Sequence, residues 1–450
     1  MSIPVLVVGS AQSGAGKTTA TLALIAGLRG RGLKVQPFKV GPDYLDPSLL
    51  TWVAGRACRS LDAWMLGESQ LLELFHRASQ GADIAVVEGV MGLFDDRIGT
   101  GRRASTAAVA SELGASVVLV LDARASSQTV GAVAAGLAAD PGVRLAGVVL
   151  NRVASERHLL ACTQGLRERG LPFLGSLPRD ATLARPDRYL GLVSSAETAP
   201  PPAFRRRLAA AAARLDIEAI VRRALPATSR HPGPPRLFPA EPQSRQARIA
   251  VARDHAFHFY YRDALDLLEA WGAELVPFSP LSDASVPVGV DAIYIGGGYP
   301  ELFAEQLSGN EPMRRSLRAS YRSGALVYAE CGGAMYLGAA MEDADGRRHR
   351  MVGLWPGRTR MKPPRLRVGY RRVRAVAPNF FGSAVLSGHE FHYSHLRTST
   401  RPWPPAWEIL DEGGGLEGFS AARLVASYIH LHLGSEAGLA AAFVAACRTP

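Results

Sequence analysis

Ala11-Gln12-Ser13-Gly14-Ala15-Gly16-Lys17-Thr18-Thr19 follows the apolar run Val5–Val8 and opens a stretch that places Leu22, Ile25, Ala26 and Leu28 on one helical side. A strand, a glycine-rich turn and a helix, in that order, form the setting of a phosphate-binding loop. Gly14 and Gly16 let the backbone curl so that its N–H groups point inward, and Ala15 lies between them. Lys17 is placed to reach the outer phosphates, the Thr18 hydroxyl to hold Mg²⁺, and Thr19 to continue the cradle. The first glycine of the usual pattern is Ala11 here, so the loop is a variant. The stretch predicts a nucleoside triphosphate site.

Working outward, apolar runs at Leu33–Phe38, Ile84–Val87, Val117–Leu121, Leu145–Leu150 and Phe173–Leu174 alternate with helical patterns near 67–80, 104–113, 128–139 and 156–169. Strands apolar on both faces and separated by helices predict a parallel sheet covered on both sides. Ligands then gather at the carboxyl ends of the strands. One such end carries Lys39-Val40-Gly41-Pro42-Asp43-Tyr44-Leu45-Asp46, a cation beside two carboxylates. Another is Glu88, an acid closing an apolar strand, where nucleotide-hydrolysing enzymes keep a Mg²⁺ ligand or a water-orienting group. A third is Asn151, whose amide suits either an adenine edge or a simple turn.

Residues 203–224 read as one or two amphipathic helices that close this first domain, 1–225. Residues 226–246 hold six prolines without periodicity and read as an extended linker. A second α/β pattern occupies 247–450, so the fold class is α/β in two domains, each a mostly parallel sheet flanked by helices. Its strands are expected at Ile249–Ala252, Asp291–Ile295, Leu326–Ala329 and Val425–Tyr428, and its helices at 260–271 and 311–323.

The second domain carries different chemistry. Cys331 lies between the strand Leu326–Ala329 and the glycines Gly332 and Gly333, the strand-to-helix elbow that exposes a nucleophile. A helix start favours the thiolate. Gly332 offers a backbone donor for an oxyanion, and Gly297 and Gly298, after the strand at 291–295, offer more. His430, after the late strand, is the expected base.

Composition limits the alternatives. The 450 residues carry a net charge of +11, and only four of the 51 basic residues are lysine. Arginine excess fits nucleic acid, a GC-rich coding sequence, or a small molecule with many carboxylates, and composition does not choose among them. Arg365, Arg367, Arg371 and Arg372 alternate with Leu366, Val368 and Tyr370 as on a strand, and Gly388-His-Glu-Phe-His-Tyr-Ser394 adds polar-tipped aromatic surface. These two stretches suit a flat, polyanionic ligand. Four scattered cysteines, no signal peptide and no apolar run of spanning length lead to the expectation of a cytoplasmic chain without membrane contact.

The motifs carry a resemblance. Gly296-Gly-Gly-Tyr-Pro-Glu301, the Cys331 elbow and Tyr428-Ile-His430 resemble a class I glutamine amidotransferase domain of the cobyric-acid-synthase type. The first half resembles the dethiobiotin-synthetase-like ATPases. Together with Val40-Gly-Pro-Asp-Tyr-Leu-Asp46, Glu88-Gly-Val-Met-Gly-Leu-Phe-Asp95, Arg367-Val-Gly-Tyr-Arg371 and Gly388–Ser394, the pair resembles the cobyrinate or hydrogenobyrinate a,c-diamide synthase family. Two positions depart from that pattern: His432 stands where the usual His-x-Glu end has its acid, and Tyr189 where the family often has histidine.

The resemblance implies that Cys331 and His430 release ammonia from glutamine, and that ATP activates carboxylates of a corrin macrocycle. It further implies that Gly14, Ala15, Gly16, Lys17, Thr18, Thr19 and Asn151 hold ATP, and that Thr18, Glu88 and Asp43 hold Mg²⁺. Lys39, Asp43, Tyr44, Asp46, Gly297, Gly298, Gly332, Arg367 and Arg371 are the expected substrate contacts. Either His432 replaces the missing acid, or Cys331 and His430 act as a dyad. A homodimer is one candidate assembly, and nucleic acid is not an expected partner. Rival readings are a cobyric acid synthase, a nickel-sirohydrochlorin amidase, and a partition-type ATPase. The last class carries a second lysine where this chain has Gln12.

Overall fold

A computed structural model describes residues 3–96, 102–180, 202–228, 233, 236–364, 366–397, 403–411 and 413–448. It divides into two compact units, Met1–Gly233 and Pro234–Pro450, with the division inside the proline-rich segment.

In the first unit the order is β1 (Pro4–Ser10), α1 (Lys17–Gly30), β2 (Val35–Val40), α2 (Leu45–Ala54), β3 (Arg59–Leu61), α3 (Ala63–Ala78), β4 (Ile84–Glu88) and α4 (Thr106–Leu113). There follow β5 (Ser116–Asp122), α5 (Thr129–Ala138), β6 (Arg144–Val153), α6 (Glu156–Arg167), β7 (Phe173–Pro178), α7 (Pro202–Ala212), α8 (Ile217–Arg223) and β8 (Leu225–Pro226). The strands lie in the order β3-β2-β4-β1-β5-β6-β7 and are mutually parallel, with β8 antiparallel to the start of β1. Val5, Leu6, Val7 and Val8 are all buried, because helices cover both faces of this central strand. Among the elements that escape the sequence reading are α2 and β3. Helix α2 is short and opens with Asp43 accepting from the amides of Leu45 and Asp46, and β3 spans only three residues. Neither is long enough to display a period.

The second unit begins with β9 (Ala247–Ala252), α9 (Arg262–Ala270), β10 (Ala273–Phe278), β11 (Ala292–Ile295), α10 (Ala304–Gly309), α11 (Glu311–Arg322), β12 (Leu326–Glu330) and α12 (Gly332–Leu337). Short strands follow: β13 (Ala340–Glu342), β14 (Arg348–Arg350), β15 (Arg358–Arg360), β16 (Arg367–Ala375), β17 (Leu386–His392) and β18 (His395–Arg397). The unit ends with β19 (Trp407–Ile409), β20 (Leu416–Glu417), β21 (Phe419–Ala421), β22 (Leu424–Ser427), β23 (His430–Leu431) and α13 (Leu439–Arg448). The main sheet runs β10-β9-β11-β12-β22-β21, parallel except for β21. An antiparallel sheet, β20-β19-β16-β17-β23, carries the arginine-rich and histidine-rich stretches on the neighbouring strands β16 and β17.

The proline-rich segment is tied down where it is described. Pro226 pairs with Pro4, the Thr228 amide donates to Leu113 O at 2.8 Å, and Leu237 and Phe238 are buried, with Trp271 Nε1 donating to Leu237 O. The expected linker is therefore docked at both ends. Among the described residues, no helix is long and apolar enough to cross a membrane. Arg365 and Tyr189 lie outside the described residues.

Candidate active sites

The carboxyl ends of β2, β4, β1, β5 and β6 lie side by side and bring the first set of side chains together. Gly16 closes the loop after β1 at φ 95°, a left-handed conformation that glycine adopts without steric cost. Lys17 is folded back on the loop, with Nζ donating to Ser10 Oγ at 3.1 Å and to Met91 O at 2.5 Å. Burial, reinforced by Lys39, lowers its pKa to about 8 against the pull of Glu88, Asp46 and Asp95. A bound phosphate supplies the missing countercharge.

Strand register sets Glu88 opposite both Val8 and Lys39. The Thr18 hydroxyl donates to Glu88 Oε1 at 2.7 Å, while Glu88 Oε2 is buried without a hydrogen-bond partner. Burial pushes the Glu88 carboxyl up, opposed by Lys39 and by the Thr18 bond. Lys39 is buried too, which alone lowers its pKa, but Glu88, Asp43 and Asp46 outweigh that and raise it. Its Nζ donates to Gly89 O at 2.8 Å and lies 3.8 Å from both Asp46 and Glu88. An orphaned buried carboxylate oxygen next to a threonine hydroxyl is a donor set that fits Mg²⁺. Asp43 uses Oδ1 to cap α2, and Tyr44 stands at the N-cap of that helix.

Asn151 meets a use that the sequence did not suggest. Its Nδ2 donates to Ala15 O at 2.8 Å, and its Oδ1 accepts from the Arg152 amide at 2.9 Å. The amide, suited by its place in the sequence to an adenine edge or a simple turn, is spent on the phosphate loop in this structure. Arg152, at φ 60°, adds a bond to Gly14 O at 2.8 Å and an ion pair with Asp122 at 2.6 Å. Together Asn151 and Arg152 hold two successive loop carbonyls, turning the amide groups of the loop the other way. No spacing signal marked Arg152 or Asp122.

The second site is built on a sharper turn. A single residue, Cys331, joins β12 to α12 at φ 47° and ψ −106°. For a side-chain-bearing residue this backbone costs about 1–3 kcal/mol and persists only where its surroundings enforce it. They do so here: the Cys331 amide donates to Ser427 O at 2.7 Å and the Gly333 amide to Gly296 O at 3.1 Å. A Cβ on Gly333 would lie 2.1 Å from Ile295 O, so only glycine allows this approach.

The Cys331 thiol is buried, with Sγ 4.0 Å from Phe391 O. Burial, then the Glu301 carboxylate, holds its pKa far above the ordinary range, and the Gly332 amide opposes this only in part. Burial thus works against the pull of the helix start toward the thiolate. Gly297 also departs from its expected role. Its amide is bonded to Phe259 O at 3.3 Å, whereas Gly298 N lies 3.2 Å from where a Cβ on Gly332 would stand. Gly298 and Gly332 are the better-placed backbone donors.

His430 lies on β23, paired with His389 of β17 and stacked on its ring at 5.0 Å. A Cβ on Gly297 would meet His430 Cε1 at 2.5 Å, which brings the glycine triplet and the histidine together. His430 Nδ1 lies 3.6 Å from Glu330 Oε2. His432 is elsewhere engaged: Nδ1 accepts from the Gly434 amide at 3.0 Å, the ring packs on Tyr261, and burial lowers its pKa to about 3. A neutral imidazole does not replace a carboxylate.

On β16, Arg371 is paired with Glu390, whereas Arg367 is exposed beside Val368, which is 60% exposed, and Phe391. The two arginines expected to act alike are thus in different states.

A phosphate-binding loop in one unit, and in the other a cysteine elbow with His430 against its preceding residue Glu330, define an ATP-dependent ligase that draws nitrogen from glutamine. Comparison with known proteins agrees. Residues 6–191 match the CobQ/CobB/MinD/ParA nucleotide binding domain, and residues 248–438 match the CobB/CobQ-like glutamine amidotransferase domain. A cobyrinate a,c-diamide synthase of Syntrophotalea carbinolica is 43% identical over 100% of this chain and 99% of its own length. One of Dehalococcoides mccartyi is 40% identical over 99% of this chain and 98% of its own. A hydrogenobyrinate a,c-diamide synthase of Streptomyces coelicolor is 40% identical over 100% of this chain and 98% of its own. The chain belongs to the cobyrinate and hydrogenobyrinate a,c-diamide synthase family.

Proposed function

We propose that this protein converts the a and c acetate carboxylates of cobyrinate or hydrogenobyrinate into amides, using ATP and ammonia released from glutamine. The observation that carries this reading is the presence, in one chain, of two complete and chemically unlike devices. One is the phosphate loop with Lys17, Lys39, Thr18 and Glu88, and the other is the Cys331 elbow with His430.

In the second unit Cys331 Sγ attacks the amide carbon of glutamine while His430 takes the thiol proton and returns it to the departing ammonia. Gly298 and Gly332 donate to the oxyanion, and water then cleaves the thioester to glutamate. In the first unit a carboxylate oxygen of the macrocycle attacks the γ-phosphorus of ATP and ADP leaves. Ammonia attacks the resulting acyl carbon and phosphate departs. Lys17 and the loop amides hold the phosphates in line. Thr18 and Glu88 would hold Mg²⁺, with Asp43 a weaker third, and a bound ion would supply countercharge for the transferred group. Lys39, with Asp43, Tyr44 and Asp46 around it, is the proposed anchor for a substrate carboxylate.

The test is mass spectrometry of products from cobyrinate and from hydrogenobyrinate, each with ATP, Mg²⁺ and either glutamine or ammonium chloride. A diamide from at least one acceptor is expected, and no amidation with either nitrogen source refutes the reading. Arg367, exposed on β16, is a proposed contact for the macrocycle. Arg367→Glu should raise KM for the corrinoid about tenfold with glutaminase activity unchanged, while Arg371→Glu, already neutralised by Glu390, should raise it less. The same reading takes the protein as cytoplasmic, independent of nucleic acid, and a homodimer, the last to be checked by light scattering.

A further inference from the structure

The acid that normally follows the histidine is absent, and His432 does not replace it. His389, stacked on His430, is no substitute: burial, then His430 and His432, hold it far below the usual imidazole range, and its Nδ1 is bonded to Tyr261 OH. One carboxylate does face His430, and it comes from the residue immediately before the nucleophile. Glu330 closes β12 and is 1% exposed. Tyr328 OH donates to its Oε1 at 2.5 Å and the Leu431 amide to the same oxygen at 3.0 Å. Tyr294 OH donates to Oε2 at 3.0 Å, and His430 Nδ1 lies 3.6 Å from that oxygen. The carboxylate accepts from both tyrosine hydroxyls and from the Leu431 amide, while the His430 contact is at ion-pair distance.

We infer that Glu330 is the positioning acid of the glutamine site, supplied from the nucleophile's own strand instead of from the strand of the histidine. The inference rests on Cys331 and His430 being the ammonia-releasing pair. The elbow explains how adjacent residues divide the work. The sharp turn at Cys331 lets its side chain and that of Glu330 diverge, and β23 brings His430 against Glu330. The Leu431 amide, next to His430 in sequence, bonds to Glu330 as well, so one carboxylate holds the backbone beside the histidine and lies 3.6 Å from its ring. Glu330 is thereby placed to take up an Nδ1–H bond as His430 becomes charged, which leaves Nε2 to receive the Cys331 proton, and to stabilise the imidazolium formed. At 3.6 Å the contact tightens as that charge appears.

The titratable groups set against His430 are Glu330 from β12 and His389 from β17. Tyr294 and Tyr328 lie behind the carboxylate, and Tyr261 lies behind His389.

The experiment compares glutaminase kinetics and ammonium-driven synthesis in wild type, Glu330→Gln, Glu330→Asp, and Glu330→Gln combined with His430→Ala. Glu330→Gln should lower glutaminase kcat on the order of a hundredfold with KM for glutamine little changed, because the tautomer is no longer held. Glu330→Asp should recover part of that loss, and the double variant should be no worse than His430→Ala alone. Wild-type kcat in Glu330→Gln, equal loss with ammonium, or additivity with His430→Ala would each overturn the inference. The wild-type protein supplies an independent check. With ¹⁵N-labelled histidine, His430 should be the Nδ1–H tautomer, and the Nε2–H form overturns the inference even if every variant misfolds. If Cys331→Ala keeps its glutaminase activity, the underlying reading has failed, not the role of Glu330 alone.

Discussion

The turn from β1 to α1 and the turn from β12 to α12 are the same device at two lengths. Each joins a buried central strand of a parallel sheet to a helix through a residue of positive φ, Gly16 at 95° and Cys331 at 47°. Six residues, Ala11–Gly16, separate strand from helix in the first, and only Cys331 in the second. The long turn has room to curl, and its polar backbone becomes the binding surface. The short turn has no such room, and a side chain becomes the working part. Strain follows the same division. Glycine takes its conformation freely, whereas cysteine is held in place by Ser427 and by the packing of Gly333 on the neighbouring strand.

The electrostatics differ as well. The first site buries charges in compensating pairs, Lys39 with Glu88 and Asp46, and keeps an unbonded oxygen on Glu88. The second keeps its nucleophile neutral until substrate and His430 act. One is arranged for ions and the other for a proton transfer.

Breaking the short turn should have the largest effect. Cys331→Ala is expected to cut glutamine-dependent synthesis by roughly a thousandfold or more while leaving the ammonium-driven reaction near wild type. Equal loss with both nitrogen sources would show that the two turns are not chemically separate.

The long turn should fail differently. Lys17→Ala and Glu88→Gln should each lower synthesis about a hundredfold with glutamine and with ammonium alike, through loss of one charged stabiliser. Steady-state rates at saturating Mg²⁺ check this, and a near-normal Glu88→Gln would remove that residue from the site.

A pH titration separates the two environments. Lys17 in the free protein loses its proton above about pH 8, and a bound phosphate raises its pKa again. Affinity for a fluorescent ATP analogue should therefore fall by up to about tenfold per pH unit above that point, and Lys17→Ala should show no such slope. Alkylation of Cys331 by iodoacetamide should stay slow over the same range, because burial keeps the thiol protonated.

The smallest effect isolates backbone strain. Cys331→Gly should melt about 2–4 °C higher than Cys331→Ala, a gain of about 1 kcal/mol, since only glycine relieves the turn. Gly16→Ala should have the opposite sign, because φ is positive there and its Cβ would stand 1.9 Å from Asn151 Nδ2. Calorimetry of the three variants decides it.

Both turns were legible in the sequence, because each is local: an apolar strand, a run of small residues and a helix start occupy fewer than twenty consecutive positions. The alternation of buried strands with amphipathic helices, and the break at the prolines, were legible for the same reason. Glu88 was visible because it closes an apolar strand. The residues around it were not so easily assigned, since a side chain's partner is fixed by strands far apart in sequence. Asn151 could be marked as a strand end but not as a brace for Ala15, and nothing local showed that Asp122, which also closes an apolar run, pairs with Arg152. Arg367 and Arg371 have the same residue type and strand parity, and only the pairing of β16 with β17 puts Glu390 against one of them. The clearest case is the histidine pair. Sequence spacing offered His432 as the neighbour of His430, because it counts along the chain, whereas Coulomb interactions and hydrogen bonds count distance through space. The tertiary structure turned His432 toward Gly434 and set Glu330, a hundred positions earlier in the chain, against the ring of His430.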